Sequence, residues 1–172
     1  YDILSSVKSC CLALWWSLGL LAYFVKFIGG KAMAVKQISV FIENKKGRLM
    51  TVTECLAKNN INIHALSSAD TADFGILRMI VDQSSKAYDV LKECGFTVLE
   101  TEVLVVKVPD RPGGLNVVLK LLDDAGISVD YIYAFYGSEE ATAINIIKVD
   151  KMDEAIAVLA QAKVELLTNE DF

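Results

Sequence analysis

The hydrophobic positions change their period early in the chain. The segment Gln37–Ile42 alternates, with an aliphatic residue at every second position, which is the two-residue period of a strand with one face on a core. Leu49, Val52 and Leu56 follow at the spacing of a helical face. The pattern therefore predicts a strand and then a helix over Arg48–Asn59, ended by asparagines that tolerate a left-handed turn.

The hydrophobic pattern divides the next forty residues into three predicted strands and one predicted helix. β-branched and aliphatic residues between turn-forming stretches favour strands, and an apolar stripe at helical spacing lies between two of these stretches. A serine is expected to cap that helix and a glycine to end it. The predicted elements are strands at Ile61–Ser67, Ile76–Val81 and Phe96–Leu99, and a helix capped by Ser84 or Ser85 and ended by Gly95.

The second half of the chain repeats the first. IENKKGRL matches VPDRPGGL at an offset of 66 residues, and VDQSSKAYDVLKECGFTVL matches VDKMDEAIAVLAQAKVELL at an offset of 68. The two extra residues fall in the turn at 136–140, as expected for a hairpin loop. The second-half elements are strands at Leu104–Val108, Ile127–Ala134, Thr142–Val149 and Val164–Thr168, and helices over residues 115–125 and 151–162.

Each half therefore has the order β-α-β-β-α-β, which is the ferredoxin-like arrangement. The expected fold class is α+β, with two such units whose antiparallel sheets carry helices on one face. The predicted domains are residues 33–102 and 103–172. A unit of this size buries too little surface to be strongly stable alone, so we expect the units to pair.

Residues 1–32 form an apolar leader. From Cys10 to Ile28 the only charge is Lys26, and a run of this length suits a membrane anchor or a signal peptide. The alternative, which we favour, is an upstream extension of the reading frame, because Met33 stands directly before the first predicted strand. The expected location is cytoplasmic, or membrane-anchored if residues 1–32 are expressed.

Charge and cysteine content exclude several classes of protein. Residues 33–172 contain 14 Lys and Arg against 21 Asp and Glu, which opposes nucleic-acid binding, where a basic surface supplies the affinity. The chain has one histidine and no CxxC motif, so no metal site, cofactor or catalytic Cys/His pair is predicted. Cys55 and Cys94 are expected to be reduced, buried thiols.

The two glycine turns support a family resemblance. The turns NKKGRL, from Asn44 to Leu49, and DRPGGL, from Asp110 to Leu115, join the first strand and first helix of their units. Two βαββαβ units with a D/N-x-x-G-x-L turn at this place resemble tandem ACT domains, which are small regulatory modules that bind amino acids. The resemblance covers about 135 residues from Lys36 to the C-terminus. The small regulatory subunit of acetolactate synthase is similar, but that family has a different second domain.

A free amino acid carries a carboxylate and an ammonium group, and the turns offer partners for both. Gly47 and Gly113 open helices, whose unpaired N–H groups favour an anion. Asn44 and Asp110 have oxygens that can accept from the ammonium group, although capping of the helices or formation of Asx turns is the alternative role. The resemblance implies that the start of the second strand of a neighbouring module meets the turn. The candidate ligand-binding residues are Asn44, Gly47, Arg48, Leu49, Asn62, His64, Asp110, Arg111, Gly113, Gly114, Leu115, Ser128 and Asp130.

The functional hypothesis is a non-catalytic sensor that binds an amino acid at an interface between ACT modules. Apolar residues near the turns favour a branched-chain or aromatic ligand. The expected assembly is a homodimer, with a metabolic enzyme as a further partner. The alternative is a structural or interaction module without its own ligand, such as a regulatory subunit of an amino-acid biosynthetic enzyme, for example acetolactate synthase.

Overall fold

The computed structural model describes residues 33–70, 74–136 and 141–172. These residues form seven strands and four α-helices, with a short 3-10 helix at Asn169–Asp171. The strands are β1 (Val35–Glu43), β2 (Ile63–Asp70), β3 (Phe74–Val81), β4 (Thr97–Pro109), β5 (Val129–Tyr136), β6 (Thr142–Val149) and β7 (Glu165–Leu167), and the helices are α1 (Arg48–Lys58), α2 (Ser84–Glu93), α3 (Gly114–Asp124) and α4 (Met152–Gln161).

The element order confirms the predicted α+β fold of two βαββαβ units. Asn60 and Gly95 take positive φ angles of 56° and 84° where the helices were expected to end. The prediction of a serine cap was wrong, because α2 begins at Ser84 itself. Its N-cap is Gln83, and no side chain caps the helix. The predicted leader at residues 1–32 and the middle of the hairpin loop at 137–140 lie outside the described residues.

One strand connects the two halves. The sheet order is β2-β3-β1-β4-β6-β5, with β7 beside β4. The N-terminal part of β4 pairs with β1, from Thr97 to Val103, and its C-terminal part pairs with β6, from Leu104 to Pro109. The predicted domain boundary between residues 102 and 103 therefore falls inside a continuous strand.

Three apolar clusters form the core. The first joins α1 and α2 to one face of the first half of the sheet, and the second joins α3 and α4 to one face of the second half. The third contains Val35, Ile80, Ile146 and other residues from both halves. Because alternate strand residues point to opposite faces, the third cluster shows that the two faces without helices pack against each other.

A buried polar contact crosses this third cluster. The Gln37 side chain is fully buried, and its Nε2 donates to Tyr131 Oη at 2.8 Å and to Ser39 Oγ at 3.0 Å. Its Oε1 accepts from Tyr133 Oη at 3.0 Å, and the Arg78 guanidinium lies 4.0 Å from the centre of the Tyr131 ring. These bonds satisfy an amide that would otherwise oppose burial, and they connect β1 to β5.

The prediction of two reduced, buried thiols was wrong. Cys55 and Cys94 form a disulfide that links α1 to the residue after α2. Cys55 is buried, but Cys94 is exposed. The two residues are 39 positions apart, and their approach results from the packing of α1 against α2, which sequence spacing does not reveal.

Within the described residues, no helix combines the length and apolar character that a membrane crossing requires.

Candidate functional site

Each glycine turn has the same backbone conformation. Gly47 and Gly113 have φ angles of 87° and 86°, in the left-handed region that favours glycine. In both turns the first residue of the helix donates its N–H to the carbonyl oxygen three positions earlier. The distance is 3.3 Å from Arg48 to Lys45 and 2.9 Å from Gly114 to Arg111. The repeated sequence pattern thus produces a repeated turn.

The helices that follow these turns begin without a cap. Gly47 and Gly113 occupy the N-cap positions of α1 and α3, and neither helix has a side-chain cap bond or an acidic residue in its first turn. The capping role considered for Asn44 and Asp110 is therefore not what the structure shows. Unpaired N–H groups at a helix N-terminus favour an anion.

A cavity of about 430 Å³ adjoins the first turn. We call it the first-turn cavity. Four of the predicted site residues line it, namely Asn44, Gly47, Arg48 and Leu49. A Cβ on Gly47 would meet no atom within 4 Å, so the space beside the turn is open.

A cavity of about 500 Å³, the second-turn cavity, adjoins the other turn. Of the predicted residues it contains Arg111, Gly113 and Gly114, whereas Asp110 and Leu115 lie beside it in the chain without lining it. Its wall includes Val118 on α3, a buried residue. Both volumes lie within the range of about 300–1,000 Å³ that small-molecule sites have.

One substitution between the repeats gives the cavities different shapes. Arg48 and Gly114 occupy the same position, the first residue of α1 and of α3. The Arg48 guanidinium lies 5.0 Å from the centre of the Phe96 ring, and its Nε is buried without a hydrogen-bond partner among the described residues. The position equivalent to Phe96 is Val164, which lines the second-turn cavity. The arginine side chain thus extends towards Phe96, whereas the glycine leaves the equivalent space open.

Both cavities carry an excess of positive charge. Lys45, Lys46, Arg48 and Glu43 line the first. The salt bridge of Glu43 with Lys45, 3.0 Å long, lowers the pKa of that carboxyl, and the charge of Arg48 lowers it further. Each cavity therefore has three cationic side chains and one carboxylate, in a chain whose net charge is −5. In the second-turn cavity these residues are Lys107, Arg111, Lys163 and Glu165.

The remaining predicted residues lie away from both cavities. Asn62 and Ser128 stand before β2 and β5, where their N–H groups donate to Asp82 Oδ1 at 3.1 Å and Asp150 Oδ1 at 2.9 Å. In each half the second strand runs parallel to the first, since both are antiparallel to the strand between them. Its start is therefore at the opposite end of the sheet from the turn. Their contribution from a neighbouring module stays a prediction.

His64 and Asp130 lie at equivalent bulges. The register shifts between Ile63 and Ala65 in β2, and at the matching position of β5. Half-buried His64 packs edge-on against the Phe172 ring at 5.5 Å, whereas Asp130 is exposed. Neither residue lines a turn cavity.

Sequence reasoning missed several residues of the second-turn cavity. Lys107 and Glu165 form a salt bridge of 2.8 Å there, and Lys163 takes a left-handed φ of 57° after α4. The repeat alignment pairs Lys163 with Gly95, which marks it as a helix-ending position. Its approach to the glycine turn depends on the pairing of β7 with β4, which the pattern does not specify.

In the part of the chain that the structure describes, no three His, Cys, Asp or Glu side chains are grouped so as to hold a metal ion.

One family model matches the chain, and solved structures are similar to it. A family model described as an ACT domain pair matches residues 33–172. The crystal structure of protein BT0572 from Bacteroides thetaiotaomicron is similar, with a TM-score of 0.77, 46% sequence identity, and coverage of 81% of this chain and 95% of that chain. No curated protein matches the sequence.

More distant structures share the fold. The regulatory subunit of aspartate kinase from Thermus thermophilus, in a ligand-free form, has a TM-score of 0.54 and 18% identity over 74% of this chain and 91% of that chain. The corresponding subunit from Thermus flavus has a TM-score of 0.53 and 16% identity, with the same coverage.

Proposed function

The chain belongs to the family of ACT domain pairs, and from that premise we propose that it is a regulatory protein that binds an amino acid at its glycine turns. Binding of the amino acid changes the surface that the two ACT domains offer to a partner protein. The protein itself carries out no reaction in this proposal.

The observation that carries the proposal is the combination found at each turn. An uncapped helix N-terminus faces a cavity of suitable size, and the lining has two positive charges in excess. The N–H groups of Arg48 and Gly114 already donate to turn carbonyls, so the carboxylate of an amino acid can accept from the N–H groups that follow them in the first turn of each helix, at the positive end of its dipole. Apolar residues such as Val118 or Leu49 can contact an aliphatic or aromatic side chain.

The partner in this proposal is a metabolic enzyme, and the working unit is a homodimer. The Thermus proteins of the same fold are regulatory subunits of aspartate kinase, and the model of an ACT domain pair matches residues 33–172 of this chain. A neighbouring module would contribute Asn62 and Ser128, or His64 and Asp130, to the ligand-binding site.

A thermal unfolding screen tests the proposal. The purified chain is heated with each of the twenty common amino acids at millimolar concentration, and positive results are repeated by calorimetry. A ligand at 100 times its Kd stabilises the folded state by about 2.7 kcal/mol. The corresponding amino alcohols, which lack the carboxylate, serve as matched controls and are expected to have no effect. An unchanged Tm with every amino acid would contradict the proposal.

A second candidate function is an interaction module without its own ligand. Four large apolar side chains near the first turn are exposed, including Met50 at 65% and Phe74 at 56%, and exposed apolar groups of this kind favour contact with another protein. Phe41 and Leu49 are the other two. This candidate predicts self-association that amino acids do not alter, which sedimentation with and without ligand would distinguish.

A further inference from the structure

The disulfide joins α1 to the end of α2. Cys55 is buried in this helix, and Cys94 is the exposed C-cap residue of α2. The bond therefore has one sulfur in the core and one on a residue that solvent reaches.

The second half of the molecule folds without a matching bond. The positions equivalent to Cys55 and Cys94 are Leu121 and Ala162. The helices α3 and α4 still pack on their half of the sheet through an apolar cluster. The fold of a unit thus does not require a cross-link between its helices, and the bond in the first half is an addition to it.

The residues after α2 hold α1 at two points. The first is the disulfide at Cys55. The second is the contact of the Arg48 guanidinium with the Phe96 ring, 5.0 Å from its centre. Phe96 follows Cys94 by two residues, and Arg48 lies in the lining of the first-turn cavity. The short segment Cys94–Phe96 therefore fixes the helix whose N-terminus faces that cavity.

We propose that the Cys55–Cys94 bond is a thiol–disulfide switch that regulates the first-turn cavity by holding or releasing α1. In the oxidised form the helix is fixed against α2 and the cavity is preorganised, which favours ligand binding. In the reduced form only non-covalent contacts hold it. The effect on α1 stands by itself, whereas the effect on a ligand rests on the proposed function.

The reductant is a dithiol, and the exposed residue determines where it attacks. A thiolate of the dithiol attacks Sγ of Cys94, the S–S bond breaks, and Cys55 leaves with the electron pair and takes up a proton. The second thiol of the reductant then attacks the reductant's first sulfur, which is bonded to Cys94 Sγ in the mixed disulfide. This step releases Cys94 as a thiol and oxidises the dithiol to a disulfide, so two electrons pass to the protein.

Peptide mapping tests the bond itself. The full chain is purified in air, its free thiols are alkylated with iodoacetamide, and the digest is analysed before and after dithiothreitol. Two peptides joined by a disulfide, one with Cys55 and one with Cys94, are expected before reduction only. Mapping also separates this bond from Cys10 and Cys11, which lie near the N-terminus. Alkylation of both residues in protein treated with oxidised glutathione would overturn the proposal.

Amide hydrogen exchange tests the switch. Reduction is expected to speed exchange in α1 at least about tenfold and to lower the Tm by about 10 °C. Helix α3, which has no cross-link, is the internal control, and its exchange should change less than that of α1. The double variant Cys55→Ser, Cys94→Ser should exchange like the reduced protein, whether or not dithiothreitol is present. Equal exchange of α1 in the oxidised and reduced forms of the native sequence would contradict the proposed switch.

A titration with an amino acid identified by the screen completes the test. Affinity at the first turn should fall several-fold on reduction, while affinity at the second turn stays constant. If the screen finds no ligand, the proposed function fails, but the mapping and exchange results still decide whether the switch exists.

Discussion

A missing side chain at Gly114 shapes the second turn. A Cβ at this position would lie 2.2 Å from the carbonyl oxygen of Pro109, far inside contact distance. The residue is the first of α3 and has no positive φ, so its requirement for glycine comes from close packing against the turn rather than from the backbone angle.

Replacement of Gly114 by alanine is therefore expected to destabilise the protein by about 3 kcal/mol, since the turn must move to admit the methyl group. Denaturant unfolding gives the change. The control is Asn116→Ala in the same helix, at an exposed position, where alanine should be neutral or slightly stabilising because of its helix propensity. Similar stabilities of the two variants would contradict the packing argument.

The position before it tests the role of charge in ligand binding. Gly113→Asp places a carboxylate at the open N-cap of α3, where it competes with the carboxylate of an amino acid for the same N–H groups. The stabilisation of about 2.7 kcal/mol expected from a ligand at 100 times Kd should disappear at this turn.

Gly113→Asn is the matched variant, because asparagine has the same shape without the charge and tolerates a left-handed φ. It should retain more of the ligand response than the aspartate variant, as measured by calorimetry. An equal loss in both variants would show that size, and not charge, controls binding.

At the scale of elements, strand β5 is connected to β1 through Gln37. Two tyrosine hydroxyls on β5 bond to this one buried amide. Tyr133→Phe removes the donor to Gln37 Oε1 and should destabilise the protein by about 1–2 kcal/mol, because the oxygen stays buried without that partner. Denaturant unfolding measures the difference.

The control for this variant is Tyr88→Phe on α2. Tyr88 is also partly buried, but its ring lies between the first apolar cluster and the Lys92 side chain, and its replacement should change stability by less than about 0.5 kcal/mol. Equal effects of the two replacements would mean that the contact between β1 and β5 adds nothing.

For the whole molecule, the contact between the two halves makes stability depend on pH in alkali. Burial, and to a smaller extent the neighbouring Tyr131, raises the pKa of the Tyr133 hydroxyl well above its ordinary value of 10.0, against the lowering effect of Arg78. The folded state therefore favours the neutral hydroxyl. Its contribution to stability is complete below pH 10 and is lost as the pH rises further.

The free energy of unfolding of the native sequence should accordingly fall more steeply above pH 10 than that of Tyr133→Phe, which lacks the hydroxyl. Unfolding in urea at pH 8 and pH 11 gives the two slopes, and the variant corrects for every other group that titrates in this range. Parallel curves would show that Tyr133 is not held neutral by the fold.

Local pattern was sufficient for most of the secondary structure. The helix at Arg48–Lys58 was predicted to within one residue, and β6 was predicted at its observed bounds. The serine cap of α2 was not, because a cap depends on backbone angles that neighbouring residues also influence. Within the candidate site, the glycine turns could be read from the sequence, since a left-handed turn needs particular residues at fixed spacing.

The sequence by itself determined the order of elements, the two-unit repeat and the two turns, because these follow from residue spacing over a few positions. Only the tertiary structure decided the pairing of Cys55 with Cys94, the contact of Gln37 with Tyr131 across 94 positions, and the approach of Lys163 to the second turn. Such contacts depend on how whole helices and strands pack, and the spacing of residues within one element does not contain that information.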